Sequence, residues 1–455
     1  MPTHTPPEER ADAGRTARKT TPRSSHADWQ PAADRKDPVD ILTAQDTDRL
    51  QFLVPIRHGR MSESSFAFYR GSAAIMAADL AHTPDSGITT QLCGDAHLSN
   101  FGSYASPERT QVFDVNDFDE TLPGPWEWDV KRLAASVVLA ARDNEYPDEG
   151  QGAAVQAVSA YRDAMTKFAG TGALEVWYDR LSLDEISRTI VSKQDRKDFA
   201  KDARKSRKRT SFQALGKLTE EVDGEPRIRN QPPLLIPLRD LAAEFDIEDV
   251  ERLTRDSFRQ YMESLNTDRR ALLSRFEFVD MGLKVVGVGS VGTRCFVVLL
   301  KGPNLREPLV LQIKEAGRSV LADHLPATRY RHHGKRVVSG QRIMQGTSDI
   351  FLGWSTVETG TQYYWRQFRD MKGSADVEKM GPSRLLSYAQ LCGWTLAHAH
   401  ARGGDPVAIA AYLGKSSTFA EALGEFAVKY ADQNDTDYAA FLQAIEDGRI
   451  EAQAD

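Results

Sequence analysis

At Phe276 the period of the apolar residues changes, and this change constrains the fold more than any other feature of the chain. Beyond it, Phe278, Lys284-Val285-Val286, Cys295 to Leu300 and Pro308 to Ile313 are short β-branched or apolar runs separated by Gly and Pro clusters. Runs of that length bounded by turn formers are expected as antiparallel strands. Asp349 to Thr356 and Gln362 to Phe368 complete an expected five-strand sheet within 274–370. Helical periodicity resumes from Ser383 to Arg402 and from Ser417 to Ile445. The class that follows is α+β, with sheet and helices segregated along the chain.

The remaining parts are read from the same signals. Between Pro2 and Pro38 there is no Val, Ile, Leu or Phe, so residues 1–39 are expected as a disordered tail that cannot offset its ordering entropy. Residues 40–149 carry a strand-turn-strand segment from Thr89 to Phe118 and a helix from Trp128 to Arg142. Residues 150–273 read as helical and charged, with Gly224-Glu225-Pro226 and Pro232-Pro233 as turn or helix-stop signals, and 371–455 as helical.

With 455 residues and 40% apolar composition the chain can bury a large core. The longest apolar stretch, Leu133 to Ala141, is too short to span a bilayer. Cys93, Cys295 and Cys392 lack disulfide or metal spacing, which together with the absence of an apolar leader points to a reducing, cytoplasmic setting. A net charge of -7 argues against nucleic acid as a partner, and the basic run Arg196 to Arg209 reads as a solvated helix face. The pairs His332-His333 and His398/His400 lack the spacing of a zinc site.

Two motifs carry chemistry. The segment from Gln91 to Ala135 gathers Asp95, His97, Asn100, Asp114, Asn116, Asp117 and Asp119 around two short strands. Asp and Asn favour turns for local reasons, yet phosphoryl transfer also needs a proton acceptor and hard oxygen ligands for Mg²⁺. The second motif is Gly287-Val288-Gly289-Ser290-Val291-Gly292, followed by a strand-like run and then by Leu311-Gln312-Ile313-Lys314. A dinucleotide fold needs a helix after the glycines; a strand there fits a phosphate-covering hairpin instead, with Lys314 on the next strand.

The order Gly94-Asp95-x-His97-x-x-Asn100, a hairpin, Asp117-Phe118-Asp119 and Trp128-Asp129-Val130-Lys131-Arg132-Leu133-Ala134 resembles the active-site run of aminoglycoside and choline kinase-like phosphotransferases. The resemblance implies Asp95 as catalytic base, Asn100 and Asp117 as catalytic metal ligands, with Asp114 and Asp119 as the other candidates for the second ligand, and His97 and Asp129 as loop supports. Gly287, Gly289, Ser290, Gly292 and Lys314 would bind nucleotide. Cys93 stands where that pattern has His. The glycine loop follows the catalytic run here, so the implied fold is a circularly permuted, protein-kinase-like two-lobe architecture with a small sheet lobe and a larger helical lobe. The lysine's usual glutamate partner is missing, which leaves Gln341 as a substitute or a pair formed in another way.

The whole arrangement, including Phe68-Tyr69-Arg70-Gly71, Cys392 to Ala401 and Tyr430 to Asn434, is similar to the uncharacterised bacterial family catalogued as domain of unknown function 2252. The expected function is an ATP- and Mg²⁺-dependent phosphotransferase acting on a hydroxyl of an unidentified small-molecule or protein acceptor. Alternatives are a catalytically silent nucleotide-binding module and AMP transfer by the same site. A two-metal phosphoesterase needs a later Gly-Asn-His, which does not occur.

Overall fold

The computed structural model describes residues 5–189, 193–241, 247–303, 307–368 and 370–454. Its centre is the helix Trp126–Asp143, in which every residue from Trp126 to Ala141 is buried. The run Leu133 to Ala141 is apolar on all sides, and a helix without a polar face has to be covered all round. Helices Gly150–Ala169, Pro382–Gly403 and Thr418–Glu446 cover it. Pro382–Gly403 approaches Gly150–Ala169 closely at Gly393, where a Cβ would lie 2.1 Å from the Ala157 carbonyl oxygen.

The sheet after Phe276 is antiparallel and has six strands rather than the expected five. Their order is Gly353–Thr356, Gln362–Gln367, Pro308–Glu315, Cys295–Lys301, Glu277–Lys284 and Leu235–Pro237. The sixth, Leu235–Pro237, comes from the stretch 150–273 expected to be wholly helical. That stretch also holds the hairpin Thr219–Val222/Glu225–Ile228. Asp223 and Gly224 both have positive φ, the requirement of a tight two-residue hairpin turn, so of the two readings of this signal the turn is the one found, between strands and not between helices. On one face Tyr261 stacks on Trp365 at 4.3 Å over Val298, Leu300 and Leu311. On the other, Ala214 and Leu218 meet Val297, Leu299 and Val310.

The expectation of a disordered tail over 1–39 is overturned for the described part. Pro7–Thr20 is a helix lying against Pro406–Leu413, where a Cβ on Gly14 would come 2.1 Å from the Ala408 carbonyl oxygen. Arg10 pairs with Asp405, Arg35 bridges the buried Asp79 and Asp437, and Trp29 packs on Tyr430 at 5.0 Å. The segment is held by charge pairs, one glycine contact and an aromatic ring, so a count of aliphatic residues cannot detect its docking. Among the described residues no helix is long and apolar enough to cross a membrane.

Candidate active site

The loop after strand Thr89–Leu92 is built from its backbone outward. Gly94 has φ 87°, and a Cβ there would lie 2.5 Å from the Glu120 carbonyl oxygen, so only glycine fits. Asp129, in the first turn of the central helix, accepts from the Cys93 amide at 2.8 Å, the Gly94 amide at 3.0 Å and the Cys93 thiol at 3.3 Å. His400 Nε2 lies 3.1 Å from the same carboxylate. Ser136 Oγ receives the Leu98 amide, and Tyr388 Oη sits 3.1 Å from the carbonyls of Leu98 and Phe101. Asp129 therefore braces the loop. His97 is buried with Nε2 3.5 Å from Asp95, and burial pushes its pKa down to about 4, which keeps it neutral.

Asp95 accepts from Arg132 Nε at 2.5 Å on one oxygen and from Asn100 Nδ2 at 3.3 Å on the other. Arg132 was given no role in the sequence reading. Its position three residues after Asp129 places both on one helix face, which is the signal that could have found it. The nearby Arg57 and His58 are turned inward onto Asp46 and Arg70 pairs with Glu378, while Asp79 belongs to Arg35.

Lys314 arrives from 195 residues away and meets the Asp119 carboxylate, with Asp117 at 3.7 Å. Antiparallel register sets Lys314 opposite Tyr364, so both emerge on one face and grip Asp119; Tyr364 Oη donates at 2.6 Å and Ser290 Oγ lies 3.5 Å away. The expected lysine partner is corrected accordingly: the Gln341 amide donates to Gln345, and the counter-ions are Asp119 and Asp117. With both oxygens engaged, Asp119 is a poor metal ligand. Asp117 is freer: burial raises its pKa, but Lys314 and Arg366 outweigh that and hold it at about 2.

Asp114, the third acid of the hairpin, lies apart. It is 4% exposed and accepts from the Val115 and Gly346 amides, each at 2.9 Å. Burial pushes its pKa up from 3.8 to about 6. The unfolded chain releases this proton first, so the group's contribution to stability falls as pH rises through that window and is level above it. The whole shift is worth about 3 kcal/mol. Urea unfolding between pH 4 and 6 is expected to give a flatter profile for Asp114→Asn than for the wild type; identical slopes would remove Asp114 from the account.

The glycine motif joins strands Glu277–Lys284 and Cys295–Lys301, a strand-loop-strand arrangement. Gly287, Gly289 and Ser290 line a cavity of about 1090 Å³ together with Asp95, Asn100 and Asp117. Gly292 is packed on Arg49 and lines neither this cavity nor its neighbour. The neighbour, about 730 Å³, is lined by Lys314, Gln312, Arg366 and Lys372 and shares Arg70, Asn100, Asp117, Gly287 and Ser290 with the first. Burial, then Arg366, pushes the Lys372 pKa down to about 7.

Residues 49–444 match the model of a family described as "Uncharacterized protein conserved in bacteria (DUF2252)". The chain belongs to this family. No curated protein and no solved structure matches it. The DUF2252 span contains the loop around Asp95, the glycine loop and Lys314, whereas Trp29, Arg35 and Asp40, which help to wall the first cavity, precede it.

Proposed function

We propose that the chain is an ATP- and Mg²⁺-dependent phosphotransferase of permuted kinase-like architecture, in which Asp95 takes the proton of an acceptor hydroxyl. The observation that carries the reading is the meeting of Lys314 with Asp117 and Asp119 beside Asp95 and Asn100, across 195 residues of chain. A glycine loop, a strand lysine, an acid for the proton and an Asn/Asp pair are the parts that phosphoryl transfer uses for positioning and charge stabilisation. Permutation is supported by Tyr388: its helix, which in unpermuted order would lead into the catalytic loop, lies against that loop from below.

Among the described residues no cluster of three or more His, Cys, Asp or Glu side chains forms a metal site. Mg²⁺ does not ask for one, since it takes one or two carboxylates and fills its shell with water and phosphate oxygens. Asn100 uses Nδ2 towards Asp95, which leaves Oδ1 for a metal, and Asp117 is the adjacent acid in the cavity. When bound, Mg²⁺ supplies charge neutralisation at the phosphates. Lys314 binds a phosphate oxygen, the glycine loop covers the phosphates with its backbone, and Asp95 orients the entering hydroxyl. Which phosphorus is attacked depends on which way round the nucleotide lies.

Calorimetry with ATP and Mg²⁺ tests the reading. The wild type is expected to bind, and Lys314→Met to bind about tenfold more weakly, the loss of one charge-assisted contact. Absence of ATP binding by the wild type would end the proposal. Binding without turnover of any acceptor would instead assign a silent nucleotide-binding module.

A further inference from the structure

The two cavities meet at Asn100, Asp117, Gly287 and Ser290, and each has its own chemistry. Asp95 lines only the first, so an acceptor hydroxyl that gives its proton to Asp95 enters from that side. In-line displacement places the entering and leaving oxygens on opposite faces of the phosphorus. The leaving group therefore occupies the second cavity.

What the second cavity can hold follows from its walls. Strand alternation puts Gln312 and Lys314 on one face, and register sets Arg366 opposite Gln312 and Tyr364 opposite Lys314. A nucleobase needs a flat apolar slot, but the sheet wall here is filled by the Gln312 amide, which accepts from Arg366 Nε at 2.9 Å and donates to Cys295. Arg366 also donates to the Asn116 carbonyl at 3.4 Å, and Arg209 to the Lys372 carbonyl at 2.9 Å. Among the described residues neither these arginines nor Lys372 is ion-paired to a carboxylate, although all three line the cavity. Of the acids on its wall, Asp370 pairs with Arg109 and Asp349 accepts from the Phe351 and Gln367 amides, which leaves Asp117 as the one that faces Lys314, Arg366 and Lys372. Cations without an ion pair of their own, facing the charges of Asp117 and Asp119 and gathered beside Lys314, match a polyphosphate. The arginines of the first cavity are by contrast ion-paired, Arg35 with Asp79 and Asp437, Arg49 with Asp46, Arg70 with Glu378 and Arg318 with Asp323, and Trp29, Ile41, Val288 and Val320 give it surfaces suited to a nucleoside.

We propose that the second cavity receives the pyrophosphate end of ATP, so that the site transfers AMP to its acceptor. The inference rests on the cleft acting as a nucleotide-dependent transferase and states which end of the nucleotide is moved. The acceptor oxygen forms a bond to the α-phosphorus and the bond from that phosphorus to the bridging oxygen breaks. The hydroxyl proton passes to Asp95, and pyrophosphate departs among Lys314, Arg366 and Lys372.

The test uses the full chain, Mg²⁺ and two probes, ATP and inorganic tripolyphosphate. Tripolyphosphate is expected to bind on its own, and Lys372→Met to weaken it and ATP alike by about tenfold. Slow turnover with water as acceptor is expected to yield AMP and pyrophosphate from the wild type, a readout that needs no variant. ADP and phosphate as products overturn the inference. So does tripolyphosphate that fails to bind while ATP binds, or that binds Lys372→Met and wild type equally. If ATP itself does not bind, the transferase reading falls first, and the two failures are thereby told apart.

Discussion

Asp95→Asn is expected to lower turnover by about 10²–10⁴-fold, the usual contribution of a positioned general base, with ATP affinity close to that of the wild type. The amide keeps the size and one acceptor oxygen of the carboxylate but takes no proton. The variant is also expected to melt lower. Arg132, whose side chain is 3% exposed, loses its counter-charge and is left with neutral partners, the Tyr69 carbonyl at 3.0 Å, the Met76 sulfur at 3.5 Å and the Tyr69 ring at 4.3 Å. Rates are therefore best compared well below the melting midpoint, with calorimetry as the check that the nucleotide still binds. Turnover within twofold of wild type would show that the hydroxyl proton goes elsewhere.

Asp129→Ala is expected to have the largest effect on stability, about 3–5 kcal/mol, because it leaves the buried Cys93 and Gly94 amides without acceptors. Asp129→Asn, which keeps one acceptor oxygen, is expected to lose less. Urea unfolding measures both variants, and a cost below 1 kcal/mol for the alanine would mean that the loop is held mainly by Ser136 and Tyr388. Since Gly94 adjoins Asp95, nucleotide turnover is expected to fall with the loop's order even at temperatures where Asp129→Ala is folded.

The five strands from Glu277 to Gln367 were legible because a change from helical period to short bounded runs is a local signal. The loop was legible through resemblance: Gly94, Asp95, His97 and Asn100 follow the kinase-like run, and Asp129 matches the helix aspartate that braces it. Leu235–Pro237 was not, because an edge strand of three residues flanked by prolines differs little from a helix stop. The N-terminal helix was missed for the opposite reason. Its composition argues for disorder, and what orders it are Asp405, Asp79, Asp437 and the surface around Ala408, all remote in sequence.

Sequence by itself determined the α+β class, five of the six sheet strands, the Asp- and Asn-rich turn around Asp95 and the polar-apolar alternation of Leu311 to Lys314. Each of these depends on residues near one another along the chain, where propensity and period act. Only the tertiary structure decided that Arg132 holds Asp95, that Asp119 rather than Gln341 answers Lys314, and that Asp114 lies outside the cleft. It alone also set Arg366 and Lys372 around a second cavity. These are pairings between charges far apart in sequence, and Coulomb attraction acts on distance through space, which one-dimensional order does not encode.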